Sequence, residues 1–175
     1  MKIDLFPTPI FISNIDLNKI ILKNGNFEKT WLSETNSSHN KENILEEESS
    51  KYLLGKIGAL ITNEVKQNLK IKLDEIWENR YQDKDFQERH NHPGSHFSFI
   101  IYKKITEPKT VFINPNEDLI LSYFSDLYLP LFQQNFKAEC REGQIIVFPS
   151  FLHHMVSKTN ESITIAGNIS LEEVK

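Results

Sequence analysis

Six short runs of β-patterned residues, set apart by turn signals and preceded by one helical stretch, constrain this chain most. They are Ile71–Trp77, His96–Lys103, Thr110–Ile113, Phe136–Cys140, Gln144–Phe148 and Ser162–Leu171. β-Branched and aromatic residues fill them, and Asn114-Pro-Asn-Glu and Arg141-Glu-Gly mark turns between them. Upstream, Leu53, Leu54, Ile57, Leu60, Ile61 and Val65 recur at helical spacing, with Ser49 or Ser50 available as a cap. Ile3 to Ile15 alternates around Pro7 and Pro9 and reads as an edge strand or extended arm, since proline breaks a central ladder. The polar stretch Lys23–Ser49, His39 included, reads as loop. Many short antiparallel strands with one or two supporting helices predict a mainly β, double-stranded β-helix (jelly-roll or cupin-like) fold, which suits a small enclosed polar site. An immunoglobulin-like sandwich is the competitor, but Cys140 is the single cysteine, so that fold's hallmark disulfide is excluded.

The length of 175 residues suits one domain, taken as 1–175. A lone cysteine points to a reducing compartment. Twenty basic and 24 acidic residues are interspersed, so there is no electrostatic footprint for a nucleic acid. Asp4 stands where a signal peptide needs apolar residues, and no run approaches the ~20 apolar residues of a membrane helix. The expectation is a cytoplasmic protein without membrane or nucleic-acid partners, compatible with a homodimer.

Five of the six histidines fall in two clusters, His90-Asn-His92-Pro-Gly-Ser-His96 and Phe148-Pro-Ser-Phe-Leu-His153-His154. On an extended strand residues i and i+2 share a face, so His90 and His92 can converge on one ion, with a third ligand arriving from a later strand. Neutral imidazole suits iron, zinc, copper or nickel. Adjacent residues face opposite ways, so one of His153 and His154 joins the metal and the other does not. Tyr102 offers a hydroxyl and Asn79 an amide that could hydrogen-bond a bound acid. Phosphate loops, zinc-type CxxC pairs and nucleophile elbows are lacking.

The run from Trp77-Glu-Asn79 through His90-Asn-His92-Pro-Gly-Ser95 to Ser98-Phe-Ile-Ile-Tyr102, with Phe148-Pro-Ser-Phe-Leu-His-His154-Met-Val156 downstream, resembles a group of 2-oxoglutarate/Fe(II)-dependent oxygenases found in phages and marine bacteria. The opening Leu5-Phe-Pro-Thr-Pro-Ile-Phe and Asn168 in the closing strand also match, so the likeness spans nearly the whole chain. The resemblance implies Fe(II) on His90, His92 and His154, with His153 at a variable position, and 2-oxoglutarate as co-substrate. It makes Asn79, Tyr102, Ser162 and Asn168 the co-substrate candidates.

Two departures stand out. His92 occupies the position of the carboxylate in the His-x-Asp/Glu…His triad of the wider superfamily; Asp83, Asp85 and Glu88 lie upstream as alternative acids. Ser162 stands where the family has an arginine to pair the far carboxylate of 2-oxoglutarate, with Lys103, Arg141 and Lys158 as replacements. The expected function is a 2-oxoglutarate-dependent non-haem Fe(II) oxygenase acting on an unidentified small molecule or protein side chain. The alternatives are a three-histidine cupin-type dioxygenase that needs no 2-oxoglutarate, and a non-catalytic jelly-roll binding protein. The polar stretches Lys23–Ser49 and Asn114–Ser125 are candidates for a lid.

Overall fold

The computed structural model describes residues 7–23, 27–29, 36–39, 44–65, 69–107, 110–124, 133–158 and 160–174. Among them the chain runs β1 (Phe11–Asn14), β2 (Glu28–Lys29), β3 (Asn36–Ser37), α1 (Glu47–Val65), β4 (Leu69–Tyr81), β5 (Gln87–His90) and β6 (Phe97–Lys104). It continues with β7 (Thr110–Ile113), α2 (Glu117–Phe124), β8 (Asn135–Lys137), β9 (Gln144–Pro149), β10 (His154–Val156) and β11 (Ser162–Glu173). Seven strands form one antiparallel sheet in the order β1-β9-β6-β11-β4-β3-β2, and β5-β10-β7-β8 form a second. This is the expected jelly roll.

Side-chain alternation along the central strands divides the interior in two. Ile76, Phe99, Ile101, Ile145, Val147 and Ile165 leave the large sheet on one face and pack with Leu53, Ile57 and Ile61 of α1. Trp77, Ile100, Tyr102, Ile146, Phe148 and Ala166 leave on the other and meet Phe112, Ala138, Cys140 and Leu152 from the smaller sheet and its loops. Each fully buried aliphatic or aromatic side chain contributes about 1.5–3 kcal/mol. The large sheet is therefore a shared wall between a helix-covered core and the barrel interior.

Several local features depart from the sequence expectations. The N-terminal arm becomes a strand only at Phe11–Asn14, pairing with β9 at the sheet edge, downstream of both prolines; Ile3–Phe6 lie outside the described residues. α1 starts at Glu47, so Ser49 sits in its first turn, where its Oγ accepts the Ile21 N–H at 3.0 Å instead of capping the helix. Within the supposed loop 23–49, β2 and β3 extend the large sheet beyond β4, while 24–26, 30–35 and 40–43 lie outside the described residues. The stretch after Ile113 folds as α2: Asn114 Oδ1 accepts the Asn116 N–H at 2.9 Å, and Glu117 and Asp118 favour the helix start that follows. Ser125 lies outside the described residues. No described helix is long and apolar enough to cross a membrane.

One glycine is fixed by close approach. A Cβ on Gly167 would lie 2.5 Å from both the Glu75 carbonyl oxygen and the Phe99 ring. Gly167 faces Phe99 across the β11–β6 ladder and Ile76 across β11–β4, so neither neighbour can retreat without breaking a central strand pair. Gly167→Ala is expected to destabilise the fold by about 1–3 kcal/mol through overpacking. Thermal unfolding checks this, and an unchanged midpoint would contradict the close packing.

Candidate metal centre

The site begins with a strand pair. His90 ends β5 and lies directly opposite His154, the first residue of β10, with ring centroids 4.3 Å apart. His92 arrives differently from the sequence expectation of one shared strand face: β5 stops at His90, and His92 sits in the loop beyond it. That loop is tied down. The His92 N–H donates to the Ser150 carbonyl at 3.0 Å, and the His96 N–H donates to Ile169 at 3.0 Å. Between them Pro93-Gly94 turns the chain, with Gly94 at φ +97°, which a Pro-Gly turn requires of its second residue. The turn brings the His92 ring to 5.2 Å from both His90 and His154.

One nitrogen from each of His90, His92 and His154 lies within 4.8 Å of the others, close enough to hold a metal ion. The Nδ1 of His90 is 2.7 Å from the Glu88 carbonyl, and that of His154 is 3.1 Å from the Leu152 carbonyl. A carbonyl only accepts, so both Nδ1 atoms carry the proton and both Nε2 atoms present a lone pair. Burial pushes all three imidazoles toward the neutral form. It holds His92 at about 3, helped by the neighbouring His90 and His39. Burial likewise lowers His90, against the opposing bond to the Glu88 carbonyl, and lowers His154 further, with His90 and His92 adding to the effect. Neutral imidazoles are the coordinating form.

Polar residues buttress the triad from behind. Asn168 Nδ2 lies 3.5 Å from His92 Nδ1 and 3.3 Å from Glu75 Oε1, while its Oδ1 accepts from Ser98 Oγ at 2.8 Å. Ser150 Oγ is 2.9 Å from Ser98 Oγ. His39, expected as a plain loop residue, bonds Glu75 at 2.8 Å through Nε2 and packs on Trp77 at 4.4 Å between ring centroids. Its signal could not be found in sequence, because it reaches the site only through β3 pairing on β4. His153 is outside the metal group, and His96 Nδ1 accepts the Leu171 N–H at 3.1 Å, a supporting bond. The suggested upstream acids do not join: Asp85 accepts the Gln82 N–H in a turn, and Asp83 and Glu88 are exposed.

A narrow cavity runs from the triad along the barrel interior. Asn79 and Tyr102 line it, together with Tyr81, Gln87, Thr110 and Thr164, which the sequence argument missed. Trp77, Asn79 and Tyr81 are alternate residues of β4, a signal that period-two counting contains. Two other candidates lie elsewhere. Ser162 pairs with Tyr81 at the end of the β4–β11 ladder, its buried Oγ has no hydrogen-bond partner among the described residues, and it lines a cleft that adjoins the cavity at Tyr81. Asn168 stands behind His92 and is not part of the cavity wall among the described residues. The replacement cations are also misplaced. Lys103 alternates to the opposite sheet face, where it bonds Glu78 at 2.9 Å, and Arg141 and Lys158 are exposed.

The chain can now be set against known proteins. It resembles in fold a prolyl hydroxylase from Trichoplax adhaerens, solved with a hypoxia-inducible-factor peptide. The TM-score is 0.58 at 13% identity, over 94% of this chain and 83% of that one. HygX from Streptomyces hygroscopicus, solved with nickel, 2-oxoglutarate and hygromycin B, gives 0.57 at 9% identity, over 93% and 82%. An oxidoreductase of the 2OG-Fe(II) oxygenase family from Burkholderia pseudomallei gives 0.52 at 14%, over 92% of this chain and 66% of that one. No curated protein matches the chain. The model of the family described as "Putative 2OG-Fe(II) oxygenase" matches residues 75–168, a segment that holds all three converging histidines and more than half of the chain. The chain belongs to this 2OG-Fe(II) oxygenase family.

Proposed function

We propose that this protein is a non-haem Fe(II) oxygenase in which His90, His92 and His154 hold the metal and a 2-oxo acid binds beside it. The observation that carries the proposal is the convergence of three neutral imidazoles, two with Nδ1 pinned by carbonyls so that Nε2 is free to coordinate. This donor set fits a divalent first-row metal. Iron bound there would supply dioxygen activation, which no side chain can. The protein orients the ligands through β5, β10 and the Pro93-Gly94 turn. It keeps the site dry with Phe148 and Phe112, whose rings lie 4.8 and 5.9 Å from that of His154. Asn168 positions His92, and Glu75, bonded to Asn168, brings a negative charge behind it.

The metal end fits the family's chemistry better than the far end of the cavity fits 2-oxoglutarate. No lysine or arginine lines the cavity among the described residues, so the second carboxylate meets no counter-charge. The same observation favours a second reading, a three-histidine dioxygenase whose substrate binds iron without any 2-oxo acid. The Trichoplax enzyme was solved with a peptide and HygX with hygromycin B, and we take the unidentified substrate here to be a protein side chain or a small molecule. A one-domain, cytoplasmic protein suits a reduced, buried Cys140 and a ferrous site.

Metal analysis tests the site. The purified protein should take up one Fe(II) per chain, and His154→Ala should weaken binding at least 100-fold with the far-ultraviolet circular dichroism retained. Unchanged metal content in that variant would remove the site. Asn168→Ala should lower iron affinity roughly 10–100-fold, as loss of a residue orienting a ligand does; competition with a chelator measures it. Anaerobic addition of a 2-oxo acid to the Fe(II) protein should produce a visible charge-transfer band. Its absence with iron retained would favour the second reading.

A further inference from the structure

Among the described residues no acidic side chain, lysine or arginine lines the cavity beyond the histidines, and its two tyrosine hydroxyls are already engaged. Along β4, Trp77 lies 5.6 Å from His92 between ring centroids, and Asn79 stands two residues further, about 7 Å at ~3.3 Å per residue. Asn79 thus lies one pleat repeat further along the cavity wall than Trp77. Past Asn79 the wall consists of Tyr81, Tyr102, Thr110, Thr164 and Gln87. The Tyr81 hydroxyl donates to Gln87 Oε1 at 2.7 Å, and the Tyr102 hydroxyl donates to Thr110 Oγ1 at 2.9 Å. Burial holds both phenols far above their ordinary range, so they stay neutral. Arg80 and Lys103, the cations that neighbour Asn79, Tyr81 and Tyr102 in sequence, leave their strands on the opposite face and bond Glu78 at 2.7 and 2.9 Å. Asn79 is 3% exposed, and its Oδ1 has no hydrogen-bond partner among the described residues.

A carboxylate placed here would lose its hydration and meet one amide and two hydrogen-bonded phenols, with no cation to offset its charge. An uncharged tail loses far less on entering and packs against Tyr102 and Ala166. We infer that the co-substrate is a 2-oxo monocarboxylic acid with an uncharged tail, preferred over the dicarboxylate 2-oxoglutarate. The inference rests on the proposed Fe(II)/2-oxo-acid function and specifies which acid that site takes.

The test uses the Fe(II)-loaded protein, titrated anaerobically with 2-oxopentanoate, the 5-methyl monoester of 2-oxoglutarate, and 2-oxoglutarate, following the charge-transfer band. Both uncharged-tail acids should half-saturate the protein at concentrations at least tenfold below 2-oxoglutarate. Thr164→Lys, which puts a cation into the neutral wall, should narrow or reverse that preference. If 2-oxoglutarate binds the wild-type protein as tightly as the others or more tightly, the inference is overturned while the oxygenase proposal stands. If none of the three gives a band with iron retained, both fall together. The wild-type titration decides the matter even if the lysine variant does not fold.

Discussion

Period-two alternation across the central sheet is the constraint on which the rest of the structure depends. β4, β6, β9 and β11 each send alternate side chains to α1 and to the barrel interior. Because both faces are buried, a one-residue slip in any of these strands would exchange the two sets. The same alternation sorts charge. Asn79, Tyr81, Tyr102 and Thr164 face inward, while Glu78, Arg80 and Lys103 associate on the other face. The neutral cavity and the ion-paired outer face are one consequence of one register.

The metal centre adds a second layer of control. A histidine triad with no carboxylate leaves the charge of a bound divalent ion uncompensated in its immediate ligands. Glu75 stands one residue further out, reached from His92 through Asn168, and is shared with His39. Charge here is placed behind the three histidines, linked to His92 through Asn168 and outside the group of nitrogens that could hold a metal. Ser98 and Ser150 complete the support from β6 and the end of β9. Five separate segments therefore meet behind one imidazole.

Much of this was legible in the sequence, and the misses have physical reasons. The strand runs on β6, β7, β9 and β11 follow from β-branched and aromatic patterning, and α1 from its helical period. The three converging histidines follow from an HxH pair and a distant cluster, although the shared strand face did not. β5 ends at His90, and Ser150 and Gly94 set the path of His92. α2 was hidden because its Asx turn and acidic start read as polar loop chemistry. His39 and Glu75 carry no pattern of their own, since nothing local links residues 36 positions apart. Ser162 follows from the resemblance alone; strand register sets it opposite Tyr81, one repeat beyond Thr164.

By itself the sequence determined the mainly β class, the long helix α1, and the identity of the imidazoles able to bind metal. Those depend on residue type and local period, which the chain states directly. Tertiary structure decided which nitrogen of His90 and His154 is free, which charges stand near the site, and that the far end of the cavity is neutral. Each of these depends on strand register and on carbonyls and hydroxyls brought together from distant segments. Long-range pairing sets such contacts, and local periodicity carries no record of it.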